Sequence, residues 1–175
     1  EWSYWRDEAY AVSVEPAVMV YNRQAFKNMD VPATREDLLA WLRRDDDRAF
    51  QMVGTYDIER SGLGLLLAAR DADQSRDFWT LVQALGANQV ELFSSSSGLI
   101  ERVARGDLSL AYNVLGSYAA SRAETALDLG VVLPRDYTLV VSRVAFVPYA
   151  AVNADAGEDF LDFLLSRRGQ RILND

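Results

Sequence analysis

Runs with the two-residue period of strands alternate with runs of helical period along nearly the whole chain, and this alternation constrains the fold more than any single motif. The first, "AYAVSVEPAVMVYN", places Tyr10, Val12, Val14, Val18 and Val20 on one strand face. Pro16 interrupts it, which predicts two short strands or one kinked strand, because proline cannot donate to a ladder. In "VPATREDLLAWLRRDDD", Thr34 and Asp37 have capping-box spacing and Leu38, Leu39, Trp41 and Leu42 form an apolar stripe, so a helix is expected over residues 35–44. "FQMVGTYD" reads as a strand and "LGLLLAARDA" as a buried helix. "SRDFWTLVQALGA" reads as a helix capped by Ser75 and stopped at Gly86. A short strand over 90–93, a helix in "GLIERVARG", a strand over 108–113 and a helix in "LGSYAASRAETAL" follow. "GVVLP" and "TLVVSRVAFVPYAAV" add strands, "ADAGEDFLDFLLS" a helix, and Ser166 caps a last short one. Strands alternating with helices predict α/β architecture with a mostly parallel sheet flanked by helices.

In such sheets the ligand crevice lies at the carboxyl ends of the strands, where helix N-termini also point. Two loops follow that rule: "TYDIERSG" at 55–62 and "FSSSSG" at 93–98. Both offer hydroxyls and backbone N–H groups at a helix start, which suits an anion or carboxylate. The serine run is not read as a linker, because a strand ends before it and an amphipathic helix stopped by Gly106 follows. One serine, Ser97 by position, suffices as N-cap, which leaves Ser95 and Ser96 as contacts whose loss would cost little stability. A third candidate is "AYNVLGSYAASR". The ligand-contact set is Tyr56, Asp57, Ser61, Gly62, Ser95, Ser96, Ser97 and Asn113, with Tyr112 and Tyr118 behind them. Asp57, Glu59 and Arg60 also fit a solvated turn, and Tyr112 and Tyr118 also fit half-buried packing positions.

Composition removes several chemistries. With 18 basic and 26 acidic residues, net charge −8, the 175-residue chain opposes attraction to nucleic acid or anionic membrane. It has no cysteine and no histidine, so thiolate chemistry and the usual general base and zinc ligands are missing. No catalytic residue, metal site or cofactor is expected. No apolar run approaches the roughly 20 residues of a membrane-crossing helix.

Five segments, in order, resemble the solute-binding proteins of bacterial ABC transporters, in the branch that includes ferric-iron binders. "VEPAVMVYNRQAF" resembles that family's strand ending in Tyr-Asn, "VPATREDLLAWL" its P-x-T-x-x-D-L helix start, and "VARGDLSLAYN" its helix and strand, with Asp107 in place of the usual Glu. "VVLPRDYTLVVSRVAFV" resembles the return strand, and "AGEDFLDFLLSRRGQRIL" the closing helix with its S-x-x-G-Q ending.

The resemblance implies the type 2 periplasmic-binding-protein fold: two lobes joined by hinge strands, with the N-terminal part of the first lobe missing here. Residues 1–19 would be an incoming hinge strand, 20–130 the second lobe, 131–148 return hinge strands and 149–175 closing helices of the first lobe. Hinge closure would run through Pro134 to Val141. The unfinished lobe would favour pairing with another chain. The implied role is non-catalytic and periplasmic: binding a small-molecule or anion ligand and delivering it to an ABC permease in the membrane. A ligand-sensing domain of a signalling receptor or transcription regulator is the alternative, and an enzyme on the same scaffold a third. The family's iron binders carry two adjacent tyrosines after the strand matching "LAYN". Here Tyr112 and Tyr118 are separated and no Tyr-Tyr pair exists, so a small anion or organic carboxylate is expected rather than iron.

Overall fold

The computed structural model describes residues 4, 5, 8–44 and 46–174, and it divides the chain into two units. Unit 1 comprises Glu1–Glu15 with Val140–Asp175, and unit 2 is the continuous stretch Pro16–Leu139. Residues 1–3, 6 and 7 of the expected incoming hinge strand lie outside the described residues.

Unit 2 is built on a sheet of order β6-β2-β5-β3-β4, formed by β2 (Ala9–Asn22, from Pro16 onward), β3 (Val53–Tyr56), β4 (Glu91–Phe93), β5 (Leu110–Leu115) and β6 (Leu129–Val132). β3 runs parallel to both β4 and β5, while β2 runs antiparallel to β5 and β6. The sheet is therefore mostly parallel with one reversed strand. Every residue of β5 is buried, as expected of a strand covered on both faces.

One cover is α1 (Arg35–Leu42) and α3 (Phe78–Ala87), whose Leu38, Trp41, Leu42, Leu81 and Leu85 join Met19, Val53 and Leu110 in a single apolar cluster. Leu38 is fully buried there, and truncating such a leucine to alanine costs about 2–5 kcal/mol. The other cover includes α4 (Ser96–Ala104), which packs on β3 and β5 through Leu99, Ile100 and Val103. Two more helices complete unit 2: α2 (Gly62–Gln74), which contacts α3 and β3, and α5 (Gly116–Ala123), which contacts α4, β5 and β6.

Several local expectations hold and several shift. The Thr34–Asp37 capping box is present in both directions, with Asp37 N–H donating to Thr34 Oγ1 at 3.0 Å and Thr34 N–H donating to Asp37 Oδ2 at 3.0 Å. The helix it starts ends at Leu42, two residues earlier than expected. Of the two forms expected around Pro16 the structure has one strand: β2 is continuous over 14 residues, and its pairing with β5 begins just after the proline, at Ala17↔Leu115. Ser75 is the C-cap of α2 rather than the N-cap of the next helix. That helix starts after Asp77 and runs through Gly86 to Asn88, whose side-chain amide closes the carbonyls of Leu42 and Ala84, both at 2.8 Å. In α2 only Gly64, Leu67 and Asp71 are buried, while Leu65 and Leu66 are exposed, so the helix is buried along one stripe and not all round.

Unit 1 contains β1 (Tyr4–Trp5) against the start of β2, β7 (Val140–Ala145), α6 (Ala154–Leu165) and α7 (Arg167–Asn174). The local chemistry of "LLSRRGQ" joins its two helices. The Ser166 N–H donates to Asp162 O at 3.0 Å, ending α6, while its Oγ accepts from Gly169 N–H at 3.1 Å, starting α7. A Cβ on Gly169 would collide with the Phe163 carbonyl, so only glycine fits that approach. Gln170 then donates from Nε2 to the carbonyls of Val12 and Leu164, at 3.1 and 2.9 Å. Each residue of this serine–glycine–glutamine spacing thus has its own mechanical reason.

Candidate functional site

The parallel strands β3, β4 and β5 end at Tyr56, Phe93 and Leu115, and each feeds a helix: α2, α4 and α5. Three helix N-termini therefore start from one edge of the unit 2 sheet, and their unpaired N–H groups carry partial positive charge. The β3 and β4 ends are tied together by the Asp57 N–H donating to Phe93 O at 2.8 Å.

α2 is capped by Ser61, whose Oγ accepts from Gly64 N–H at 3.1 Å. Gly64 sits against Tyr56, where any Cβ would collide with the Tyr56 side chain, so the first turn of the helix lies directly on the strand end. A Cβ at Gly62, by contrast, would meet open space. Asp57 closes the intervening turn: its Oδ1 accepts from Glu59 N–H at 3.0 Å, and its Oδ2 faces the exposed Arg60 at 3.7 Å.

The serine run divides its tasks differently from the expectation. Ser95, not Ser97, caps α4, its Oγ accepting from Gly98 N–H at 3.3 Å. Ser96 turns inward, is buried, and shares a short hydrogen bond with the buried Tyr56 hydroxyl. Burial pushes the Tyr56 phenol above its ordinary pKa and the Ser96 bond only partly offsets this, so the group stays neutral. A serine hydroxyl that accepts from a backbone N–H keeps its own proton to donate, so both caps retain a free donor. Ser97 instead faces a groove of about 300 Å3 between α4 and α5, lined also by Ile100, Glu101, Tyr118, Ser121 and Arg122. An Arg122–Glu101 pair at 2.6 Å spans it.

Tyr112 and Asn113 are bonded to a buried carboxylate that the sequence reading did not single out. Asp71, on α2, is 0% exposed. Its Oδ2 accepts from Tyr112 Oη and from Asn113 Nδ2, both at 2.6 Å, and its Oδ1 from Tyr137 Oη at 2.9 Å. Arg35, the first residue of α1, supplies the countercharge, with Nη2 at 2.9 Å and Nε at 3.1 Å from Oδ1. Arg35 also donates from Nη1 to Asp136 Oδ1 at 3.2 Å and to Tyr137 O at 2.8 Å, and the Tyr137 ring stacks 3.6 Å from its guanidinium. A buried charge is tolerated only when paired and hydrogen-bonded, which describes the Asp71 carboxylate. Burial first, and the Asp71 charge second, hold the Tyr112 and Tyr137 phenols above their ordinary pKa, so both remain donors.

The sequence did carry a signal for Asp71. It continues the buried stripe Gly64, Leu67, Asp71 of α2, and an acid on the apolar side of a helix demands a partner.

Residues 2–175 match the family described as bacterial extracellular solute-binding protein. Among solved structures, the chain is similar to the substrate binding protein of an ABC transporter from Agrobacterium tumefaciens, at 45% identity and a TM-score of 0.94 over 99% of this chain and 51% of that one. It also shares its fold with the periplasmic binding protein AfuA from Actinobacillus pleuropneumoniae (23% identity, TM-score 0.74, 93% and 50% covered). A third likeness is iron-bound HitA from Pseudomonas aeruginosa (18% identity, TM-score 0.73, 96% and 54% covered). The chain thus spans about half the length of the solved structures it matches. No curated protein sequence matches it. Among the described residues no helix is long and apolar enough to cross a membrane.

Proposed function

We propose, starting from the fact that the chain belongs to the bacterial extracellular solute-binding proteins, that it is part of a periplasmic, non-catalytic receptor. This receptor captures a small polar or anionic solute and hands it to the permease of an ABC-type uptake system. The observation that carries the reading is the start of α2, α4 and α5 from the ends of adjacent parallel strands, with Ser61 and Ser95 keeping free hydroxyl protons at two of those starts. N–H groups and hydroxyls of this kind hold an anion or carboxylate without needing a cationic side chain. Tyr56, Asp57, Gly62 and Ser96 shape this edge, and Ser97 and Tyr118 extend it into the groove between α4 and α5. Tyr112 is engaged by Asp71 and Asn113 is tethered to the same carboxylate, so neither is offered as a metal ligand, which favours an anion over ferric iron.

In this reading residues 20–130 form the second lobe, 131–148 the returning hinge strands and 149–175 the closing helices of the first lobe. The breaks at Glu15/Pro16 and Leu139/Val140 support hinge movement there. The apolar side chains of Phe146, Tyr149 and Val152 that unit 1 leaves exposed support its pairing with further polypeptide.

Two measurements on the full-length protein test the reading. Mass spectrometry of small molecules released on denaturation identifies the carried solute. Calorimetric titration with phosphate, sulfate, citrate and ferric citrate should give heat with an oxyanion or carboxylate. Heat that depends on iron, with none from any of the iron-free anions, would overturn the preference.

A further inference from the structure

The register of β5 contains an irregularity at the edge where the solute is proposed to bind. Val18 pairs with Val114 and Val20 with Ala111, so Tyr112 and Asn113 together stand opposite the single residue Met19. That is a β-bulge, and Asn113 supplies its left-handed residue, with φ 61°. Neighbouring residues of a regular strand point to opposite faces, yet Tyr112 and Asn113 both reach Asp71 Oδ2. The carboxylate and the bulge are thus parts of one arrangement. Downstream of it the chain enters α5 at Gly116 with Leu115 as a cap that makes no side-chain hydrogen bond, so no N-cap side chain fixes the start of that helix.

We infer that Asp71 is a positioning residue: its buried carboxylate holds Asn113 in the left-handed conformation, and through the resulting bulge sets the path of residues 114–118 into the N-terminus of α5. Arg35 and Tyr137 saturate Oδ1, which leaves Oδ2 to grip the strand. A one-residue slip at this place would turn every following side chain of the strand to the other face. Tyr118 on α5 would then leave the groove it lines. The inference depends on the solute reading only for the meaning of that edge, because the device itself is defined without a ligand.

The test is hydrogen exchange at amides 114–118 in the full-length protein, followed by mass spectrometry, with amides 53–56 of β3 as internal reference. In Asp71→Asn, exchange at 114–118 should accelerate relative to the reference by roughly tenfold, the equivalent of an untethered left-handed residue. Adding Asn113→Gly should return it to within roughly threefold of wild type, since glycine adopts this conformation without a tether. If Asp71→Asn does not fold, the pair Asn113→Ala and Asn113→Gly decides alone, because both leave the Asp71 bonds to Arg35, Tyr112 and Tyr137 in place. The alanine variant should show the acceleration and the glycine variant should not. Equal exchange in those two variants, or no slowing on adding Asn113→Gly to Asp71→Asn, would overturn the inference. A purely structural role for Asp71 would speed β3 and 114–118 together, with no rescue by glycine. None of these readouts uses a solute, so failure here leaves the solute reading standing, and failure of the titrations leaves this one.

Discussion

Replacing both partners of a buried ion pair by apolar residues is often neutral or stabilising, because the desolvation cost of two charges disappears with them. For Arg35→Met/Asp71→Leu the structure predicts the opposite. Asp71 is the acceptor for Tyr112 Oη and Asn113 Nδ2 as well as for Arg35, and both of those residues are buried. The double replacement removes the charges but leaves two buried donors without an acceptor, at about 1–3 kcal/mol each, so about 2–6 kcal/mol together. Tyr137 and Asp136 are partly exposed and can turn to water, so they add little. The single Arg35→Met change strands a fully buried carboxylate and should cost about 3–5 kcal/mol. Urea unfolding, followed by the fluorescence of the buried Trp41, reads these values, provided the slope with denaturant is unchanged. Adding Tyr112→Phe to the double variant should recover about 1–3 kcal/mol by removing one orphaned donor. A double variant within about 1 kcal/mol of wild type would refute the reasoning, because stranded donors of this kind cannot cost so little.

Three other outcomes follow from local geometry. Ser95→Ala should lose about 1 kcal/mol in thermal or urea unfolding as the α4 cap is removed, whereas Ser97→Ala should stay within about 0.5 kcal/mol of wild type; equal losses would reassign the cap. The Thr34 hydroxyl bond first, with backbone N–H groups of Ala33 and Thr34, holds the Asp37 carboxyl below its ordinary value near 3.8. A lowered folded-state pKa gives stability that is present above that value and lost as pH falls through the folded one. Asp37→Asn should therefore be less stable than wild type at pH 7 and converge with it in strong acid, and a pH-independent gap between the two would contradict this. Gly169→Ala should destabilise the α6–α7 junction by at least about 1 kcal/mol, seen as faster amide exchange in 160–172 with unit 2 unaffected; unchanged exchange there would refute the close approach.

The elements were readable because each carries its period within a few turns. Strand and helix runs alternate, the Thr34–Asp37 box is a spacing of three, and Gly106, at φ 80°, stops α4 where the pattern ends. Cap identity was less readable where several candidates stand side by side. Residues 94–97 are chemically identical, and only the end of β4 at Phe93 selects Ser95. Ser75 follows one helix and precedes another, and from sequence alone it serves either. Pro16 left two short strands or one kinked strand open, and only pairing decides for a single strand, whose ladder with β5 starts just after the proline.

The edge that carries the candidate site was legible by position and illegible by register. Which loops lie at the carboxyl edge follows from the order of strands and helices, and that placed Tyr56, Ser61 and the serine run together. Nothing local reveals that β5 holds two residues against one of β2, since pairing is decided by the partner strand and not by the strand itself. Once the bulge is present, the buried acid on α2 has its reason. A left-handed asparagine inside a fully buried strand is costly unless the surrounding structure over-determines it. Asp71 does so with a charge-assisted bond at 2.6 Å. Arg35 is what allows that charge to remain, and it stands at the N-terminus of α1, where the helix dipole disfavours a cation. An arginine in that unfavourable place and an acid on an apolar stripe are each a local conflict in the sequence. They resolve only as a pair, and such paired conflicts are where function concentrates in an otherwise consistent fold.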